Sequence, residues 1–201
     1  MSIVNKIFCA LDEDKIFILL FLDLSAAFDT ICHEILLSCF DTFFWYPQCT
    51  PILEKKQFVM VQDNQSSTAS LDFGVPQGSV LGPVLFILYT TPLSLIIEKH
   101  SANHEMFADD TQLRRSDPPT DYDSMVLSLQ KCTADIKDWM LENKRKLNDE
   151  KTEAVCFSPP SFGLAYSLSD SIFLGSCNIQ FTQKVKDLGV WLDSDHETTC
   201  H

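Results

Sequence analysis

Three carboxylates in this chain are placed where they could do chemistry: Asp23, Asp109 and Asp110. Asp109 and Asp110 are adjacent in "EMFADDTQL", directly after the apolar pair Phe107-Ala108, and Asp23 closes the apolar run "KIFILLFLD". Adjacent carboxylates repel, and each loses hydration when even partly buried. A solvated surface turn holds them at little cost. A divalent cation also holds them and converts the repulsion into a binding site. If the two apolar strands pair in one sheet, all three acids meet. Oxygen ligands of that kind suit Mg²⁺, with Mn²⁺ as a substitute. Two such ions about 3.5–4 Å apart can activate an attacking oxygen and stabilise a leaving one in phosphoryl transfer. A lone "ADD" reads as a turn, so the surrounding residues must decide.

Those acids need elements to hold them. "KIFILLFLDLS" has the length and flanks of a fully buried strand, and "HEILLSCF" reads as a helix. "KQFVMVQ" and "TASLDFG" flank the polar loop "DNQSS" as a hairpin. "GSVLGPVLFILYTTPLSLIIEKH" predicts a long buried helix with Gly78-Ser79 at its start, Ser79 as a possible N-cap, and Pro83 in or near its first turn. "MFADDTQL" is a strand-turn-strand and "RRSDPPT" a loop. Thr120 with Asp123 suggests a capping box for a helix whose apolar face carries Met125, Leu129, Cys132, Ile136 and Trp139 or Met140. "EAVCFS" and "NIQFTQKVKDLGVWLD" predict closing strands. The order lacks a regular βαβ series, which argues α+β, with helices covering one face of an antiparallel sheet.

Composition bounds the rest. The chain has 201 residues, 45% hydrophobic and 21% charged, enough for one domain with a core. Its net charge of −13 opposes nonspecific attraction to nucleic acid, which depends on neutralising phosphates. The eight cysteines form no C-x-x-C pair and sit mostly among apolar neighbours, as in a reduced intracellular protein. The N-terminus reaches charge before any sustained apolar run, unlike a signal peptide. The uncharged stretch from Phe73 to Ile97 is broken by glycines and prolines, so a buried turn and helix fits better than a membrane span.

Four blocks, in order, resemble the reverse transcriptases of non-LTR, LINE-type retrotransposons: "FLDLSAAFDT", "GVPQGSVLGPVLFILYTTPL", "MFADDTQL", and "WMLENKRKLNDEKTEAVCF" with "VKDLGVWLD". The resemblance implies a polymerase palm over residues 16–195, with 1–15 an N-terminal remnant, 39–57 degenerate, 196–201 a tail, and fingers and thumb largely absent. It implies that Asp23 and Asp109 bridge two Mg²⁺ ions, with Asp110 a weaker or indirect ligand. Phe28 would lie beneath the incoming sugar and select against a 2′-hydroxyl, or be a plain core aromatic. Asp29 reads as a structural carboxylate. Gln77 and Gly78 would contact nucleotide and template, or form only a helix-entry turn. Lys151 would assist the departing pyrophosphate, or be a surface lysine. "VKDLGVWLD" resembles a hairpin that grips the primer end.

The implied reaction is RNA-templated attack of a DNA primer 3′-hydroxyl on a dNTP, with weak nucleic-acid binding expected from so acidic a chain. The implied location is cytoplasm or nucleus, without a membrane. The competing expectation is an inactive retroelement remnant that acts, if at all, by binding protein. "DTFFWYPQCTPILEKK", which departs from the family pattern, favours it.

Overall fold

The computed structural model describes residues 2–24, 31–43, 55–75, 80–107, 110–143, 147–159, 171–174, 177–187 and 189–194. Its centre is the first strand, β1 (Ile16–Asp23), whose residues Ile16 to Leu20 are all buried. Such a run needs cover on both faces and partners on both edges. It has both. β1 pairs antiparallel with β7 (Asp110–Asp117) on one side and β8 (Glu153–Phe157) on the other, and β6 (Asn103–Phe107) extends the sheet beyond β7 in the order β6-β7-β1-β8.

Side chains alternate across a strand, so β1 feeds two cores. Ile16, Ile18, Leu20 and Leu22 join the larger one. It is built with α2 (His33–Phe43), α3 (Gly82–Lys99) and α4 (Tyr122–Glu142). Each fully buried Leu or Ile contributes roughly 1.5–3 kcal/mol. Phe17 and Leu19 point the other way, against Ile3, Ile7, Ala10 and Leu11 of α1 (Ile3–Asp12). The fold is α+β, and among the described residues three helices cover one face as expected, while α1 covers part of the opposite face.

Most expected elements form, with shifted limits. α4 buries Met125, Leu129, Cys132, Ile136 and Met140, while Trp139 packs edge-on against Tyr89 of α3. The Tyr89 hydroxyl also donates to the Asn143 carbonyl at 2.9 Å. α3 begins at Gly82, four residues after Gly78, with Pro83 in its first turn. It runs through Pro92, which lacks an N–H, because burial of Leu93 and Ile97 beyond it outweighs the lost bond. The hairpin between "KQF" and "SLD" is two-tiered. β2 (Lys55–Gln57) pairs β5 (Ala69–Leu71), and β3 (Met60–Val61) pairs β4 (Asn64–Gln65) around a turn where Gln62 has a φ of 54°. Part of the expected polar loop is therefore strand.

Two other expectations fail. "RRSD" is strand, because β7 stays paired with β1 through Asp117, and Arg115 is held by Asp117 at 2.5 Å and the His100 carbonyl at 3.1 Å. The capping box does not form. A 3₁₀ turn, Pro119–Asp121, leads into α4, and Thr120 bonds Asp121 instead. The closing strands are β9 (Ser171–Leu174) with β10 (Cys177–Gln180), and β11 (Lys184–Asp187) with β12 (Val190–Asp193). Gly189, φ 93°, serves the turn of the second hairpin. No helix among the described residues is long and apolar enough to cross a membrane.

Candidate active site

The ladder between β1 and β7 ends on a pair of acids: Asp23 lies opposite Asp110. Directly opposed residues keep their Cβ atoms about 4.5–5.5 Å apart on one face of the sheet. Phe107 and Asp110 are also cross-strand partners, and residues 108 and 109 link them in sequence. Of the expected site residues, Asp23, Asp110 and Lys151 are brought together around one cleft of about 450 Å³. Asp109, Phe28, Asp29, Gln77, Gly78 and Ser79 lie outside the described residues. The strand-like contact that leads toward Gln77 is described: Gly74 N–H donates to the Ile31 carbonyl, and His33 Nε2 donates to the Gly74 carbonyl at 2.8 Å.

Lys151 closes a 3₁₀ turn, Asp149–Lys151, that is tied to the end of β1. The Asn148 N–H donates to the Asp23 carbonyl at 3.1 Å. From that turn the Lys151 ammonium reaches the Asp23 carboxylate at 2.8 Å. The lysine side chain is 70% exposed and the aspartate side chain 13%. The turn is fixed from the other side by Lys137, whose Nζ meets Asp149 at 2.7 Å.

Gln112 and Asp187 complete the floor. Gln112 follows Asp110 by two residues and so shares its face of β7. Its Nε2 donates to Asp187 Oδ1 at 2.5 Å, joining the sheet to the β11–β12 hairpin. Burial pushes the Asp187 carboxyl above its ordinary range. The Gln112 bond opposes that shift, and the charges of Glu105 and Asp110 add to it. Gln112 Oε1 and Thr111 Oγ1 are buried beside Asp110 with no hydrogen-bond partner among the described residues. Further along the same face, Lys6 of α1 bonds Glu105 and holds its carboxyl below the usual range, with Arg114 3.2 Å away.

The cleft is acidic: Asp23, Asp110, Glu150, Glu153 and Asp187 line it against Lys151 and Lys186. Hard oxygen donors around one opening suit a cation, and Asp23 already holds one in the Lys151 ammonium. Two of the three expected carboxylates are thus opposed in register. Among the described residues, no group of three or more His, Cys, Asp or Glu side chains is gathered closely enough to hold a metal. Two carboxylates fit one side of a divalent site, with Asp109 next in sequence to one of them.

A family model described as reverse transcriptase (RNA-dependent DNA polymerase) matches residues 5–192. The chain belongs to the reverse transcriptase family. The match runs from within α1 to within β12 and includes the cleft. Two Drosophila melanogaster proteins are similar to this reverse transcriptase domain. The probable RNA-directed DNA polymerase from transposon BS is 28% identical over 95% of this chain and 22% of its own length. The RNA-directed DNA polymerase from mobile element jockey is 27% identical over 95% of this chain and 21% of its own. The chain therefore spans about a fifth of the length of these curated relatives. Among solved structures, apo telomerase from Candida tropicalis, truncated from its C-terminal domain, shares the fold. It matches with a TM-score of 0.58 at 12% identity, over 96% of this chain and 39% of that one. The fold is a polymerase palm.

Sequence reasoning missed Gln112, Asp187 and α1. Gln112 was findable from strand alternation after Asp110, and α1 from Ile3, Ile7, Ala10 and Leu11 at helical spacing. Asp187 carried no local signal, since a distant strand brings it in.

Proposed function

We propose that this domain is the catalytic palm of an RNA-directed DNA polymerase. Its reaction is attack of a primer 3′-hydroxyl on a deoxynucleoside triphosphate opposite an RNA template. The observation that carries the reading is the register of Asp23 opposite Asp110 at the mouth of an acidic cleft in a reverse transcriptase domain. Asp23, Asp109 and Asp110 are the residues that would hold divalent cations, Mg²⁺ in the first place and Mn²⁺ as a substitute. Bound there, the cations supply electrostatic stabilisation of the reacting phosphate. Lys151 stands at the same mouth and can offer its ammonium to a departing pyrophosphate. Phe28 is assigned to sugar selection, and Gln77 with Gly78 to nucleotide and template contact. The palm unit is drawn over 16–195. The net charge of −13 makes nucleic-acid binding by this chain weak and dependent on the cations.

The test is primer extension. The chain is given an RNA template, an annealed DNA primer, dNTPs and Mg²⁺ or Mn²⁺. Extension that falls by at least about 10²-fold in Asp23→Asn, Asp109→Asn and Asp110→Asn is the expected result. A folded chain without extension favours the remnant reading, and extension indifferent to these substitutions rejects the assigned site.

A further inference from the structure

We infer that Lys151 is the internal counter-ion of the cation site: it holds Asp23 until a divalent ion takes its place, and is thereby released toward the substrate phosphates. The inference rests on the metal reading of Asp23 and Asp110 above.

Four observations carry it. Asp23 and Asp110 are direct cross-strand partners, so without a cation two carboxylates would face each other at short range. The Lys151 ammonium lies 2.8 Å from Asp23 Oδ2, where its charge offsets that repulsion. The aspartate side chain is largely buried while the lysine is mostly exposed, so the two ends of the pair are unequally free to move. The backbone beneath the lysine is fixed, by the Asn148 bond to the Asp23 carbonyl and by Lys137 on Asp149. A lysine on a fixed turn can leave the carboxylate by rotating its side chain and still remain at the cleft mouth.

The consequence is competition. A divalent ion binding at Asp23 must displace an ammonium, so the lysine weakens metal binding while lowering the net negative charge of the empty site. The displaced ammonium is then available to the anionic triphosphate, which couples cation loading to phosphate capture. An ion pair whose ammonium end is mostly exposed is a modest opponent, so the effect should be small and measurable.

Mn²⁺ affinity, read from the free-ion signal in electron paramagnetic resonance, tests this on the chain without substrate. Lys151→Met should bind Mn²⁺ about two- to five-fold more tightly than the parent chain. Lys151→Arg, which can rebuild the pair, should stay near the parent. Lys186 lines the same cleft but lies over the Trp191 ring, so Lys186→Met should change affinity less than Lys151→Met. Asp23→Asn should lose binding. Unchanged or weaker binding in Lys151→Met, with loss in Asp23→Asn, overturns the counter-ion role and leaves the metal reading intact. Equal tightening by both lysine substitutions also overturns it, since general cleft charge would then suffice. Full Mn²⁺ binding by Asp23→Asn would instead remove the metal reading, and this inference with it.

Discussion

At the residue scale, Asp187 is buried, hydrogen-bonded to Gln112, and surrounded by other acids. Its pKa is raised from 3.8, first by desolvation. The folded state therefore holds this proton more tightly than the unfolded chain does. Linkage then makes stability fall as pH rises through the window above 3.8, because the charged form is penalised only when folded. Asp187→Asn removes that charge and keeps an oxygen for the Gln112 amide. Its Tm should exceed that of the parent chain at pH 7, and the gap should close as pH drops below 3.8, where the parent carboxyl is itself protonated. Thermal melts at a series of pH values would check this. A variant that melts lower than the parent at pH 7 would show that the charged carboxylate is worth more than its desolvation costs.

At the scale of elements, α1 shows how packing assigns a role that a short segment does not announce. Its apolar residues Ile3, Ile7, Ala10 and Leu11 sit on one side and cover Phe17 and Leu19 of β1. Isolated helices of this length are marginal in water, so α1 depends on that contact. Ile7 is 5% exposed, and Ile7→Ala should cost about 2–4 kcal/mol in urea unfolding. Phe8 is 42% exposed on the same helix, and Phe8→Ala should cost less than about 1 kcal/mol. Similar costs for both would mean that α1 is not docked as described. β1 itself was legible, because the shortness of its apolar run and its polar flanks favour a strand covered on both faces. The helical cover of one face followed from the long apolar run of α3 and the apolar spacing of α4. The cover of the other face did not, because it comes from α1 and the β11–β12 hairpin, at opposite ends of the matched region.

At the scale of the whole molecule, packing leaves the thiols in different surroundings. Burial pushes Cys132 and Cys156 up to about 12, with Asp135 adding to the shift at Cys132. Cys9 is exposed on α1. Thiolate is the reactive form, so a disulfide reagent at pH 8 should modify Cys9 in the native chain. Cys132 and Cys156 should react only when the fold opens, which peptide mapping by mass spectrometry would show. Native-state labelling of Cys132 at the rate of Cys9 would contradict the packing of α4 against the sheet.

The sequence by itself determined that two apolar strands end in carboxylates, that an amphipathic helix follows the second, and that the motif order is that of a reverse transcriptase. These are local patterns, set by strand alternation, helical period and neighbouring residue types. Only the tertiary structure decided that Asp23 stands opposite Asp110, that the Lys151 ammonium rests on Asp23, and that Gln112 reaches Asp187. Each of those pairs joins residues far apart in the chain. Their meeting depends on strand register and on how separate elements pack, and no short-range pattern encodes either.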